Sequence, residues 1–360
     1  MKTSIRVILG VALLGLVSRL MLPTIFEVIL FDSIYPQGKP IDRFLLSSNG
    51  KILVSTCKAG RLVETWDLEK QVKTGTINAA NGYARGLVIS GTGTHIAWSE
   101  EPDNVVRVWK LGPQLTGEFS TEPFESRPAI CLNQNAKMLA VGGTNILRLW
   151  NLPSGEEIHV QASRGGRIQH LRFSADSKTI AAGSEDSIEV WSIETGKIIA
   201  ALQCRKHSDL VRQVAFSRNG RFLASSQWET LEILIWDLHA GTVENLDIPP
   251  WLAEEDEAII EFLAFSNDEK TLVAGNGCRI GAWDVASGAN FAEMGTSEQN
   301  WYWTKNGRPR TTDGPKGMAT VYDATFTEDG EIRIISCRGD SILTRLLASP
   351  REQRWLRLQD

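Results

Sequence analysis

The stretch IQHLRFSADSKTIAAGSEDSIEVW, residues 168–191, decides the fold. Ile168 to Phe173 alternates apolar and polar side chains, as a half-buried strand does. SADSK (Ser174 to Lys178) comes next, and its Ser and Asp side chains bond their own backbone in a tight hairpin turn. TIAAGS (Thr179 to Ser184) is a second strand of small residues, suited to a crowded region near an axis. Glu185, Asp186 and Ser187 turn the chain again, and IEVW (Ile188 to Trp191) forms a third strand. Thr195-Gly196-Lys197 then makes another turn before the apolar run Ile198 to Leu202. The unit is four short strands of ordinary length.

Outward from this unit the same turn recurs. It reads SSNGK from Ser47, SGTGT from Ser90, NQNAK from Asn133, SADSK from Ser174, SRNGR from Ser217, SNDEK from Ser266 and TEDGE from Thr327. Successive first positions lie 43, 43, 41, 43, 49 and 61 residues apart. The third strands close on Trp66, Trp109, Trp150, Trp191, Trp236 and Trp283, with Thr344 in the seventh place. A period in the forties built from strands and turns is the signature of a propeller blade. One blade cannot bury both faces, so it needs a neighbour on each side. The six indoles are therefore expected in the wedges between blades, as core.

These features resemble the WD-repeat family over about residues 41 to 348. The family's closing Trp-Asp pair survives as Trp66-Asp67, Trp236-Asp237 and Trp283-Asp284. It is altered to Trp109-Lys110, Trp150-Asn151 and Trp191-Ser192. The resemblance implies an all-β fold, a seven-bladed β-propeller of four-stranded antiparallel blades over residues 41–360. It also implies a non-catalytic platform for protein–protein interaction. A buried His, Asp, Ser or Thr and Trp network is common in the family. Here only His207 fits its His place, and Asp186 and Asp340 fit its Asp place in other blades, so the ring relies on apolar burial.

Composition bounds the rest. The 360 residues are 42% hydrophobic, enough for one seven-bladed domain, expected as a monomer. A net charge of −5 and a pI near 5.7 argue against nucleic acid as a partner. The five cysteines form no Cys-x-x-Cys pair and have no His at metal-ligand spacing, so no cofactor or metal is expected. Cys57 and Cys337 occupy matching places in the first and last repeats. A disulfide there is disfavoured, because equivalent places in adjacent blades usually lie too far apart.

Residues 1–23 differ from the repeats. Lys2 and Arg6 precede the apolar run VILGVALLGLV (Val7 to Val17), and no small-x-small cleavage site comes after it. This pattern fits an uncleaved signal-anchor, with a cleaved signal peptide or a soluble cytoplasmic chain as alternatives. The span Val7 to Phe26 is just long enough to cross a bilayer, although Arg19 and Pro23 interrupt it. The positive-inside rule then places the propeller outside the cytoplasm. Residues 24–40 form a linker, or IFEVILF (Ile25 to Phe31) completes the outer strand of the last blade.

No catalytic motif is present. His95, His159, His170, His207 and His239 are scattered over different repeats without metalloprotease or nucleophile-elbow context. An enzyme with a site at the central channel mouth, or a structural subunit of a larger assembly, are the competing classes. Binding is expected where the repeats are longest. Between the fifth and sixth repeats stand Trp251 and the acidic run Glu254 to Glu257. Between the sixth and seventh stand Trp301, Tyr302 and Trp303, then Arg308 and Arg310. With Trp228 these belong to one rim, called the top in the family, and are the residue types enriched at interface hot spots. The expected partner there is another protein or peptide; the alternative is that the aromatics anchor their own loops.

Overall fold

A computed structural model of the chain describes residues 41–57, 60–70, 72–79, 83–112, 116–124, 126–158, 166–185, 187–204, 210–227, 232–246, 260–276, 279–296, 301–304, 320–326, 332–338 and 341–347. They form seven antiparallel sheets, each built from strands consecutive in the chain.

The first sheet holds β1 (Ile41–Leu46), β2 (Ile52–Cys57), β3 (Leu62–Asp67) and β4 (Val72–Asn78). The second holds β5 (Tyr83–Ile89), β6 (His95–Glu101), β7 (Val105–Lys110) and β8 (Thr116–Ser120). The third holds β9 (Ala129–Leu132), β10 (Met138–Gly142), β11 (Leu147–Asn151) and β12 (Glu156–Ile158). The fourth holds β13 (His170–Phe173), β14 (Thr179–Gly183), β15 (Ser187–Ser192) and β16 (Ile198–Gln203). The fifth holds β17 (Val211–Phe216), β18 (Phe222–Gln227), β19 (Ile233–Asp237) and β20 (Thr242–Asn245). The sixth holds β21 (Phe262–Phe265), β22 (Thr271–Asn276), β23 (Arg279–Asp284), β24 (Asn290–Thr296) and β25 (Trp301–Thr304). The seventh holds β26 (Thr320–Phe326), β27 (Ile332–Arg338) and β28 (Ser341–Leu347).

The first strands touch in the order β1, β5, β9, β13, β17, β21, β26, and β26 lies against β1. That circuit suits propeller blades standing round an axis. Burial falls across the fourth and fifth sheets: β15 is buried along nearly its whole length, whereas β16 alternates and β20 is exposed throughout. The core lies between sheets. Val54 and Val63 of the first sheet pack with Ala84, Leu87 and Ile96 of the second, and Ile188 and Val190 of the fourth pack with Val214 and Leu223 of the fifth. Each of these Val, Leu and Ile side chains contributes about 1.5–3 kcal/mol on full burial, and burying them takes two sheets.

Of the six closing tryptophans, Trp66, Trp150, Trp191, Trp236 and Trp283 are buried. Trp109 is half-buried and stacks on Trp98, with ring centroids 5.8 Å apart and planes 7° from parallel. The seventh place needs a correction. Each closing Trp pairs with the second residue of the second strand, as Trp66 does with Leu53 and Trp236 with Leu223. In the last sheet that partner is Arg333, and it pairs with Leu346 rather than with Thr344. The seventh sheet has three strands among the described residues. Residues 25–31, expected to supply a fourth, lie outside them, as do His207, Asp186, Asp340 and the side chains of Cys57 and Cys337. Cys131 and Cys204 are buried, and burial pushes the Cys131 thiol up.

The recurring turn is built from its own side chains. In the fourth sheet Ser174 Oγ donates to Asp176 Oδ1 at 2.6 Å and accepts from the Thr179 N–H at 3.1 Å. The Lys178 N–H reaches Asp176 Oδ1 at 3.0 Å. The same bonds recur at Ser47-Asn49, Ser217-Asn219 and Ser266-Asp268. Neighbouring turns also bond to each other. The Asn49 N–H donates to Gly91 O at 3.2 Å, Thr92 N–H to Gln134 O at 3.0 Å and Asn133 Nδ2 to Ser177 Oγ at 3.1 Å. This rim is thus joined turn to turn from the first sheet to the fourth.

Candidate interaction rim

The opposite rim carries the turns between second and third strands and the connections entering each first strand. The two run side by side because backbone bonds tie them. Ala84 N–H donates to Gly60 O at 2.8 Å, Ile168 N–H to Gly143 O at 3.1 Å and Val211 N–H to Ser184 O at 3.1 Å. At these three seams a turn of one sheet meets the incoming strand of the next.

At the first seam these bonds gather a cationic and aromatic cluster. Arg61, on the turn after β2, donates from Nη2 to the Tyr83 hydroxyl at 3.1 Å, and its guanidinium carbon lies 5.1 Å from the ring centroid. Arg85, two residues along β5, places its own guanidinium carbon 5.9 Å from the same centroid. Arg85 Nε meets Glu101 Oε2 at 3.3 Å. Both arginines are exposed and the tyrosine is half-buried. No described carboxylate forms an ion pair with Arg61.

A second stack looks similar but has a different electrostatic state. Arg148 on β11 lies 4.9 Å from the Trp150 centroid and 5.7 Å from that of Phe124. Its Nε and Nη2 donate to the two carboxylate oxygens of Glu157 at 2.7 and 2.6 Å. That fork is neutralised by a carboxylate of its own chain, whereas no described carboxylate pairs with Arg61.

Of the residues expected to bind from sequence, Trp301, Tyr302 and Trp303 are among the described residues. Trp228, Trp251, Arg308, Arg310 and Glu254 to Glu257 lie outside the described residues. Trp301, Tyr302 and Trp303 belong to β25, a strand rather than a loop, pairing Met294 with Trp303 and Thr296 with Trp301. An aromatic run has high strand propensity, and the outer edge of β24 offers it unpaired backbone groups. Arg61, Tyr83 and Arg85 do not stand out in the sequence because their connections are short. Their signal is an Arg in one turn and a Tyr-Ala-Arg opening the next first strand. The described histidines, His95, His170 and His239, lie in the second, fourth and fifth sheet regions. Among the described residues no group of His, Cys, Asp and Glu is arranged to hold a metal.

A family model described as "WD domain, G-beta repeat" matches residues 155–192 and 197–237. The first match runs from β12 through β15 and the second from β16 through β19, so each takes one outer strand and the next three inner ones. Among curated proteins the chain is similar to autophagy-related protein 16 of Arabidopsis thaliana, 24% identical over 316 residues, which is 80% of this chain and 58% of the relative. It is similar to apoptotic protease-activating factor 1 of Mus musculus, 21% identical over 222 residues, 51% of this chain and 17% of the relative. It is also similar to target of rapamycin complex subunit wat1 of Schizosaccharomyces pombe, 23% identical over 158 residues, 44% of this chain and 48% of the relative. The matched region thus spans 17% to 58% of these relatives' length.

Proposed function

We propose that this chain, a member of the WD40-repeat family, works as a non-catalytic platform for protein–protein interaction on a closed seven-bladed ring. The observation that carries the reading is the division of labour between the rims. One rim is joined turn to turn from the first sheet to the fourth, while the other holds exposed Arg61 and Arg85 and half-buried Tyr83 at a seam fixed by a backbone bond. Rigid scaffolds present binding groups in this way, and Arg and Tyr are types enriched at hot spots. Trp228, Trp251, Trp301, Tyr302, Trp303, Arg308 and Arg310 extend the same function toward the later blades. Residues 1–23 tether the ring to a membrane, a reading supported by Lys2 and Arg6 before the apolar run Val7 to Val17.

Proximity labelling and cross-linking of the tagged full chain, followed by fractionation, test both parts. Expected is specific protein capture from the membrane fraction, with release of the chain when residues 1–22 are removed. A full-length chain found free of membranes overturns the tether. Turnover of a small substrate without any specific protein capture overturns the platform.

A further inference from the structure

We propose that Arg61, Tyr83 and Arg85 form a subsite for an anionic side chain, carboxylate or phosphate, carried on a linear peptide segment of a protein partner. The proposal rests on the interaction-platform reading. Gly60 has φ +84°, and a Cβ on it would sit 2.8 Å from the carbonyl oxygen of Ala84. Only glycine therefore lets the turn close on β5 and form the 2.8 Å bond from Ala84 N–H to Gly60 O. That bond lies between Arg61 on one side and Tyr83 and Arg85 on the other. The cluster is held by backbone rather than by its own side chains.

The donors left over define the ligand. Tyr83 oxygen accepts from Arg61 Nη2, so its own hydroxyl proton is left to donate. Arg61 uses one of its five N–H donors in that bond, and no described carboxylate meets the rest. Arg85 uses Nε on Glu101 at 3.3 Å, with 42% and 33% of the two side chains exposed. A pair this long and open contributes about 0–1 kcal/mol, so Glu101 is a displaceable counterion. Two guanidiniums on one ring repel each other, and the four side chains carry one net positive charge in a chain of net −5. An anion seated between them relieves the repulsion and accepts paired N–H bonds, the geometry that guanidinium forks favour. Because both arginines are exposed, a free anion would keep most of its water. A peptide that also lies along the seam gains the contact a lone ion lacks.

Fluorescence anisotropy of the full chain with labelled peptides of alternating Glu and Gly, phosphoserine and Gly, and Gln and Gly tests this. The Glu peptide, the phosphoserine peptide or both should bind saturably, and which of them binds identifies the anion. The Gln peptide should bind at least about tenfold more weakly. Arg61→Ala with Arg85→Ala should lose about tenfold or more at unchanged melting temperature, and Arg61→Lys with Arg85→Lys should fall between it and the unmodified chain. Failure of both anionic peptides to bind, or equal binding by either double variant, overturns the subsite. Protein capture that persists undiminished in the Ala variant overturns the subsite and leaves the platform standing. Saturable binding of the anionic peptides without protein capture upholds the subsite and overturns the platform.

Discussion

Trp236 donates its indole N–H to Ser225 Oγ at 2.9 Å, whereas Trp191, at the same place one sheet earlier, finds no such hydroxyl. The register explains the difference. Trp236 pairs with Leu223, and Ser225 stands two residues further along β18. Trp191 pairs with Ile180, and the residue two further along β14 is Ala182. The first sheet repeats the fifth, with Trp66 Nε1 3.4 Å from Ser55 Oγ. In the second sheet the place is taken by Trp98, which stacks on Trp109 instead.

Ala182→Ser should therefore stabilise the ring. It supplies an acceptor to a buried indole N–H, a change worth about 0.5–1.5 kcal/mol. The converse, Ser225→Ala, strands the Trp236 N–H and should cost about 1–3 kcal/mol. Urea midpoints at unchanged m-value measure both. A lower midpoint for Ala182→Ser would mean that its hydroxyl cannot reach the indole.

The fourth position of the recurring turn is left-handed in every sheet from the first to the sixth. Gly50, Gly93 and Gly220 occupy it in three, and Ala136, Ser177 and Glu269 in the others, with φ from 57° to 73°. A side chain there costs about 1–2 kcal/mol. Ala136→Gly should raise stability, by up to about 1 kcal/mol after the entropy glycine adds to the unfolded chain. Substituting the glycines separates strain from crowding. A Cβ on Gly93 would lie 2.7 Å from Ile52 Cγ1 of the preceding sheet, whereas one on Gly220 meets nothing within 4 Å. Gly93→Ala should thus destabilise more than Gly220→Ala. Equal losses in thermal melts would show that φ alone governs the site.

Asp237 couples the ring to pH. Arg221 Nε and Nη2 donate to Asp237 Oδ2 at 2.9 and 2.6 Å, and the His239 and Ala240 N–H groups donate to Oδ1. The Arg221 bonds, followed by the Ala240 N–H, hold the carboxyl down to about 2, from 3.8. A folded-state value below the unfolded one means that the stabilisation is fully present above pH 3.8 and is lost as pH falls toward about 2. Asp237→Asn should flatten stability over that window, and added salt should narrow the difference. Urea midpoints measured across the window check it; an unchanged pH slope in the variant would assign the loss to other carboxylates.

Much of the fold is legible in the sequence because it is local. Turns such as Ser174 to Lys178 close through bonds spanning five residues or fewer, so their residue types and spacing announce them. The seventh closing place is harder. Paired residues of the second and third strands are 11 apart at Leu139-Trp150 and 13 apart at Leu53-Trp66. Without a tryptophan to mark the end, sequence does not say which hairpin length applies, and the longer one selects Leu346. The Arg61–Tyr83–Arg85 cluster is hidden for another reason. Its members stand 22 and 24 residues apart on different sheets, and only the closed seam between Gly60 and Ala84 brings them together. Strand β25 depends likewise on the free edge of β24, which no residue within Trp301 to Thr304 reveals.

The position of β25 sharpens the test of the later blades. Thr296 to Gly317 is an insertion relative to the earlier repeats, yet four of its residues pair with the outer edge of the sixth sheet. That edge pairing is made by backbone, so it survives side-chain truncation if the indoles serve a partner. Trp301→Ala with Trp303→Ala should then cut protein capture while leaving the melting temperature nearly unchanged. If the indoles instead fasten β25 to the ring, their loss removes buried apolar area, at about 3–5 kcal/mol for each fully buried ring. The melting temperature would fall by several degrees, and β24 would become an exposed edge able to pair with other chains. Light scattering during the melt separates the cases. Early aggregation with a lowered transition marks an anchoring role, and an unaltered melt with lost capture marks a binding one.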